Sequence, residues 1–169
     1  MVGTGRNAGT TYAAISLARA LANGSNVILV DLAFASPNLS VISSDPQAPG
    51  IAELLRGAAS FGEIITRDQF SHVHLIATGN AGGEGAALAA SPNLTTAIEA
   101  LLRSYDYVVI DMGAASDNAP YNFAALAPRA VLVSADPAAA ATRATAQQLM
   151  TSGFSDVTLL AGGVQAAAA

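Results

Sequence analysis

Gly3-Thr4-Gly5-Arg6-Asn7-Ala8-Gly9-Thr10-Thr11 is laid out like a loop that wraps phosphate in its own backbone N–H groups and then opens a helix. A loop of the form G-x-x-x-x-G-K-[ST] adds a lysine for the terminal phosphates and a hydroxyl for Mg²⁺. Thr11 supplies the hydroxyl, but Thr10 stands where the lysine belongs, and none of the 169 residues is lysine. Arg6, three residues before Gly9, is the nearby cation, on a loop where it could equally be solvated. Two carboxylates complete the set: Asp31 closes Val27-Ile28-Leu29-Val30, and Asp111 closes Tyr107-Val108-Val109-Ile110. Ligands of parallel α/β sheets bind beyond the carboxyl ends of the strands. Both acids therefore face the place where the loop and the helix N-terminus converge, and could hold Mg²⁺ directly or through water. The competing role for each is to cap the following turn.

The elements that must position these groups alternate. Short apolar, β-branched runs predict strands at Val27–Asp31, Val73–Thr78, Tyr107–Asp111, Ala130–Ala135 and Val157–Ala161. Ala/Leu-rich stretches between them predict helices at Thr10–Ala22, Ile51–Arg56, Phe61–Arg67, Asn93–Ser104, Asn118–Ala127 and Ala139–Ser152. Gly24 and Gly153 read as helix stops and Ser91-Pro92 as a start. This is the pattern of a doubly wound parallel sheet covered on both faces. A strand of about five or six residues ordinarily precedes such a loop, yet only Met1-Val2 precede Gly3, so the fold is expected to lack its first strand. Gly79–Ala90 reads as a surface loop, residues 1–165 as one domain and 166–169 as a frayed alanine tail.

Composition narrows the classes. A net charge of −5, with seven scattered arginines, offers no basic stripe for nucleic acid. No apolar run approaches the ~20 residues of a spanning helix, and no signal peptide opens the chain. A cytoplasmic domain without direct membrane insertion is expected. Cysteine is absent, so thiolate metal sites are excluded. His72 and His74 share a strand face without a third ligand. The dispersed tyrosines Tyr12, Tyr105, Tyr107 and Tyr121 read as packing residues.

Four collinear stretches resemble the MinD/ParA-like P-loop ATPases, and within them the bacterial tyrosine autokinases of capsule and exopolysaccharide export. Gly9-Thr10-Thr11-Tyr12-Ala13-Ala14-Ile15-Ser16-Leu17-Ala18 is similar to G-K-S-T-T-A-A-N-L-A, and Asp31-Leu32-Ala33-Phe34-Ala35-Ser36-Pro37-Asn38-Leu39 to D-A-D-L-R-R-P-x-L. Pro49-Gly50-Ile51-Ala52-Glu53-Leu54-Leu55-Arg56-Gly57 resembles P-G-L-x-x-x-L-x-G. Ser91-Pro92-Asn93-Leu94, running on to Tyr105-Asp106-Tyr107-Val108-Val109-Ile110-Asp111, resembles S-P-x-L…Y-D-Y-V-I-I-D. The resemblance implies a P-loop NTPase fold that binds ATP or ADP with Mg²⁺. Arg6, Asn7, Ala8, Gly9, Thr10 and Thr11 would wrap the phosphates, Thr11, Asp31 and Asp111 would hold the metal, and Asp31 would sit near the attacking group. It also implies a membrane polysaccharide co-polymerase or a kinase as partner, a place at the inner face of the plasma membrane through that partner, and self-association.

The departures bear on turnover. Thr10 replaces the catalytic lysine, Ala33 the second carboxylate of D-x-D, Ala35 and Ser36 two arginines, and Met112-Gly113 the usual Thr-Pro. A charge-assisted hydrogen bond contributes about 1.5–3 kcal/mol to binding, whereas losing one preorganised donor to a transition state costs on the order of 10²–10³ in rate. Binding by backbone amides and the helix dipole survives such a loss; fast phosphoryl transfer does not. A nucleotide-binding domain with weak or no turnover, regulating or scaffolding polysaccharide synthesis, is the expectation. The alternatives are an active MinD/ParA-type positioning ATPase, a non-enzymatic docking module, and a Rossmann site. The last rests on Gly3-x-Gly5-x-x-Ala8 with Asp31 near the spacing of about 20 residues for a ribose-binding acid.

Overall fold

In the computed structural model, which describes residues 1–117 and 119–161, the alternating pattern becomes a parallel sheet with one antiparallel edge. The strands are β1 (Val2–Gly3), β2 (Val27–Asp31), β3 (Ile65–Arg67), β4 (His74–Ile76), β5 (Tyr107–Asp111), β6 (Arg129–Ser134) and β7 (Asp156–Ala161). The helices are α1 (Thr10–Leu21), α2 (Ile51–Leu55), α3 (Phe61–Ile64), α4 (Gly85–Ala89), α5 (Pro92–Leu102), α6 (Tyr121–Ala124) and α7 (Ala140–Thr151), with a 3₁₀ turn at Leu39–Ile42. The expected tail, the domain limit at 165 and the predicted helix start at Asn118 lie outside the described residues.

The first strand, expected to be absent, is a two-residue stub that still holds the centre of the sheet. Val2 and Gly3 pair with Leu132 and Val133 of β6. On the other side Met1 O accepts from Met112 N at 2.9 Å, Gly3 N donates to Gly113 O at 2.8 Å, and Gly3 O accepts from Ala115 N at 2.9 Å. The stub thereby joins two sets of strands into the order β3-β4-β2-β5-β1-β6-β7. It needs no long apolar run, because backbone groups on both its edges are satisfied. The Met1 α-amino group donates to Ile110 O at 2.7 Å, and burial, opposed by the charge of Asp111, lowers it from 8.0 to about 6.

Every residue of β2 is buried, as a strand covered on both faces requires. Val27 and Leu29 pack with Ala14 and Ala18 of α1. Ile28 and Val30 face the larger cluster with Ile51, Leu94, Ile98 and Phe123. Small alanines let α1 lie close on the sheet, and that closeness brings its N-terminus over the ends of β2 and β5. Ser91 accepts from Asn93 N at 3.2 Å ahead of Pro92, the helix start read from the sequence.

Three further expectations are corrected. The helix predicted through Arg67 stops at Ile64, and Ile65–Arg67 becomes an edge strand antiparallel to β4. Its β-branched Ile65 and Thr66 suit the pleat, and Thr66 accepts from the Ser43 hydroxyl at 2.8 Å. Within Gly79–Ala90 residues Gly85–Ala89 are helical, because Leu88 and Ala89 enter the core. Tyr12, Tyr107 and Tyr121 are 71%, 46% and 67% exposed, so only Tyr105, whose hydroxyl lies 2.7 Å from His74 Nδ1, behaves as a packing residue.

Gly50 fastens α2 to the end of β4. A Cβ there would collide with Gly79 N and Ala77 O, backbone atoms that cannot move aside. Glu53 ties the same junction, accepting from Gly50 N at 2.8 Å and Asn80 N at 2.9 Å. Gly50→Ala is expected to destabilise the domain by about 1–3 kcal/mol through overpacking. Gly62→Ala, in the open on helix α3, should instead stabilise by up to about 1 kcal/mol. Urea unfolding of the two variants reads both signs.

Candidate nucleotide site

The loop from β1 to α1 is shaped by two glycines. Gly9 adopts φ 80°, ψ 23°, a left-handed conformation that strains any side chain, and its carbonyl accepts from Ala13 N at 2.9 Å to begin α1. Gly3 leaves room for the Thr10 hydroxyl, which occupies the space a Cβ would need. Thr10 is consequently buried against the stub strand. Arg6, Asn7, Gly9, Thr10 and Thr11 then line a cavity of about 380 Å³, with Tyr12, Ser36, Asn38, Gly113 and Ala114 as its other walls.

The two carboxylates are neighbours in register on β2 and β5 and are differently employed. Asp31 Oδ1 accepts from Ala33 N at 2.9 Å, and Oδ2 from Asn38 N at 3.1 Å and Leu39 N at 3.2 Å. These bonds fold residues 33–39 into the wall carrying Ser36 and Asn38. Burial, and then the charge of Asp111, raise the Asp31 carboxyl above its ordinary value, against the three amides that favour its ionised form. Asp111 is fully buried; its Oδ1 accepts from Gly113 N at 2.9 Å, and its Oδ2 has no hydrogen-bond partner among the described residues. Gly113, at φ 68°, turns the chain beside Ala33, whose Cβ would lie 2.9 Å from a Cβ at 113. Ala33 and Gly113, read from the sequence as lost functional groups, let the two loops pass each other.

Five of the eight site residues read from the sequence therefore meet around one cavity, which Ala8, Asp31 and the fully buried Asp111 do not line. Ala8 is buried and does not line it, being turned inward while its amide donates to Gly5 O at 3.2 Å. Asp31 opens instead into an adjacent cavity of about 480 Å³ with Pro37, Ser40, Pro49, Glu53 and Asn80. With three amides on its two oxygens it fastens the loop of residues 33–39. Tyr12, Ser36, Asn38, Gly113 and Ala114 were not read as site residues; Ser36 and Asn38 lay inside a recognised motif, but only the folded loop turns them to the cavity.

Arg6 does not reach free into the cavity. Its Nε donates to both oxygens of Asp117, at 3.2 and 3.0 Å, and Nη2 to Oδ1 at 3.1 Å. Among the described residues no group of three or more His, Cys, Asp or Glu forms a metal cluster, and no helix is long and apolar enough to cross a membrane.

A glycine-shaped loop feeding a helix over a parallel sheet, with an acid at the end of a neighbouring strand, is the P-loop NTPase fold. The chain superimposes on the VpsO kinase domain with a TM-score of 0.80 at 22% identity, covering 94% of this chain and 81% of that one. It superimposes on the cell-division ATPase MinD of Pyrococcus furiosus with a TM-score of 0.66 at 22% identity, covering 94% and 68%. In sequence it is 30% identical over 96 residues to the succinoglycan biosynthesis transport protein ExoP of Rhizobium meliloti (strain 1021), a match that takes in 55% of this chain and 12% of that protein. No family model matches the chain. The fold is thus shared with bacterial tyrosine kinase domains and MinD-type ATPases, and the sequence is similar to an exopolysaccharide transport protein.

A buried carboxylate oxygen without a donor, beside a second carboxylate, costs stability. Asp111→Asn is expected to raise the melting temperature of the ligand-free domain by a few degrees, about 1 kcal/mol, at neutral pH. Because the Asp31 carboxyl is raised in the fold, its contribution to stability is present at low pH and lost as the pH rises through that raised value. The gain from Asp111→Asn should therefore shrink as the pH falls and Asp31 is neutralised. Thermal melts of both proteins across that range test it.

Proposed function

We propose that this chain is a nucleotide-binding domain of an exopolysaccharide or capsule system that binds ATP or ADP with Mg²⁺ and does not turn it over at kinase rates. The observation that carries the reading is the open Oδ2 of Asp111, a fully buried oxygen at the carboxyl end of β5, next to a loop without lysine. A native domain keeps such an atom where a ligand or ordered water completes it. Asp111 and the Thr11 hydroxyl are the groups that fit Mg²⁺, and the cation when bound would neutralise phosphate charge. The chain's own part is to present loop amides and the positive end of α1 to the phosphates. Thr10, buried against Gly3, leaves nothing at the lysine position to follow charge onto a transferring phosphoryl group.

The kinase domains and the transport protein that the chain resembles support a polysaccharide setting. Its role there is to regulate or scaffold synthesis and export, at the cytoplasmic face of the membrane, through a membrane co-polymerase or a kinase partner and with self-association. The chain spans 12% of the length of ExoP, so these wider assignments belong to the proposal.

Calorimetric titration of ATP, ADP and NAD, with and without Mg²⁺, tests the reading. Mg²⁺-dependent binding of the adenosine nucleotides without NAD is the expected result, and Asp111→Ala should abolish the Mg²⁺ dependence. Thr10→Lys should tighten ATP binding about tenfold or more, since one charge-assisted contact is restored. A wild-type turnover near about 1 s⁻¹, the low end for kinases, would contradict the proposal.

A further inference from the structure

Among the described residues Arg6 is the only basic one lining the cavity, in a chain that has no lysine. It is held by Asp117, on the turn that follows β5, across 111 residues of sequence. The two partners are unlike. The Arg6 side chain is 68% exposed and that of Asp117 is 8% exposed, so an exposed cation is docked on a largely covered carboxylate. A guanidinium carries five N–H donors in a planar fork. Asp117 occupies its Nε–H and a donor of Nη2, the edge that grips a carboxylate or a phosphate in the same two-pronged way.

We propose that Asp117 is an affinity-setting residue: it competes with a bound phosphate for Arg6 and holds the nucleotide affinity of the loop down. This rests on the reading of the cavity as a phosphate site. When the phosphate takes Arg6, the Asp117 carboxylate keeps the Ser116 hydroxyl, 3.3 Å from Oδ1, and loses its guanidinium partner. The exchange therefore gives up a two-pronged charge-assisted pair, and that loss is subtracted from the affinity. Asp117 also adds a negative charge near a cavity that already has Asp111 and Asp31 behind its walls. An uncharged isostere would remove both the competitor and the repulsion. Because Ala114 itself lines the cavity, exchange at Arg6 also links phosphate binding to the turn after β5.

The test is calorimetric titration of pyrophosphate alone and of ADP with Mg²⁺ into wild type, Asp117→Asn, Arg6→Ala and the double variant. Asp117→Asn should bind both ligands about three- to tenfold tighter, and the gain should be smaller in the Arg6→Ala background, where only the charge of Asp117 is removed. Asp117→Ser serves as a second version in case the asparagine variant melts early. Wild-type binding left unchanged or weakened by both Asp117 variants would overturn the competition and make Asp117 a support for Arg6. Silence of all the proteins toward both ligands would overturn the phosphate reading and the competition with it, a result distinct from the first.

Discussion

Two carboxylates at the ends of adjacent buried strands, one holding three backbone amides and the other a single one, set the terms for everything around them. Asp31 and Asp111 are paired in register on β2 and β5, so their charges repel in a region with little water to screen them. The fold answers on one side by giving Asp31 three amides, which turns residues 33–39 into a cavity wall. It answers only half on the other, where Asp111 has one hydrogen bond among the described residues, from Gly113 N, and the charge of the Met1 α-amino group. The asymmetry separates an acid that holds its own loop from one whose Oδ2 has no hydrogen-bond partner among the described residues, although both close an apolar strand in the same way.

The phosphate loop shows the same division between retained shape and lost charge. Gly9 keeps the left-handed turn that opens α1, and Gly3 keeps the space into which residue 10 packs. What is missing is the lysine. The shape of the loop is intact, and the cation at the cavity is engaged by the Asp117 carboxylate. The small residues Ala33 and Gly113 let the neighbouring loops interleave.

Much of this was legible beforehand. The limits of β2 and β5 match the sequence reading residue for residue because both are apolar runs closed by an acid, and α1 begins at Thr10 as its preceding glycine signals. The edge strand Ile65–Arg67 was read as helix because Glu63 and the apolar spacing continue a helical pattern; its pairing with β4 and the Ser43 contact override that local preference. The central stub was missed for the opposite reason. Two residues have no periodicity, and their strand character comes wholly from the partners on either side.

The sequence alone determined the order of strands and helices, the place of the phosphate loop, the absence of lysine and the presence of two acids at strand ends, since each follows from residue type and local spacing. The tertiary structure decided which acid is free, which loop residues face the cavity and where Arg6 spends its charge. Those outcomes depend on hydrogen bonds and ion pairs between residues far apart in the chain: Arg6 with Asp117, Gly3 with Gly113, Asp31 beside Asp111. Local pattern carries no record of such distances, and only the closed sheet brings those groups within reach of one another.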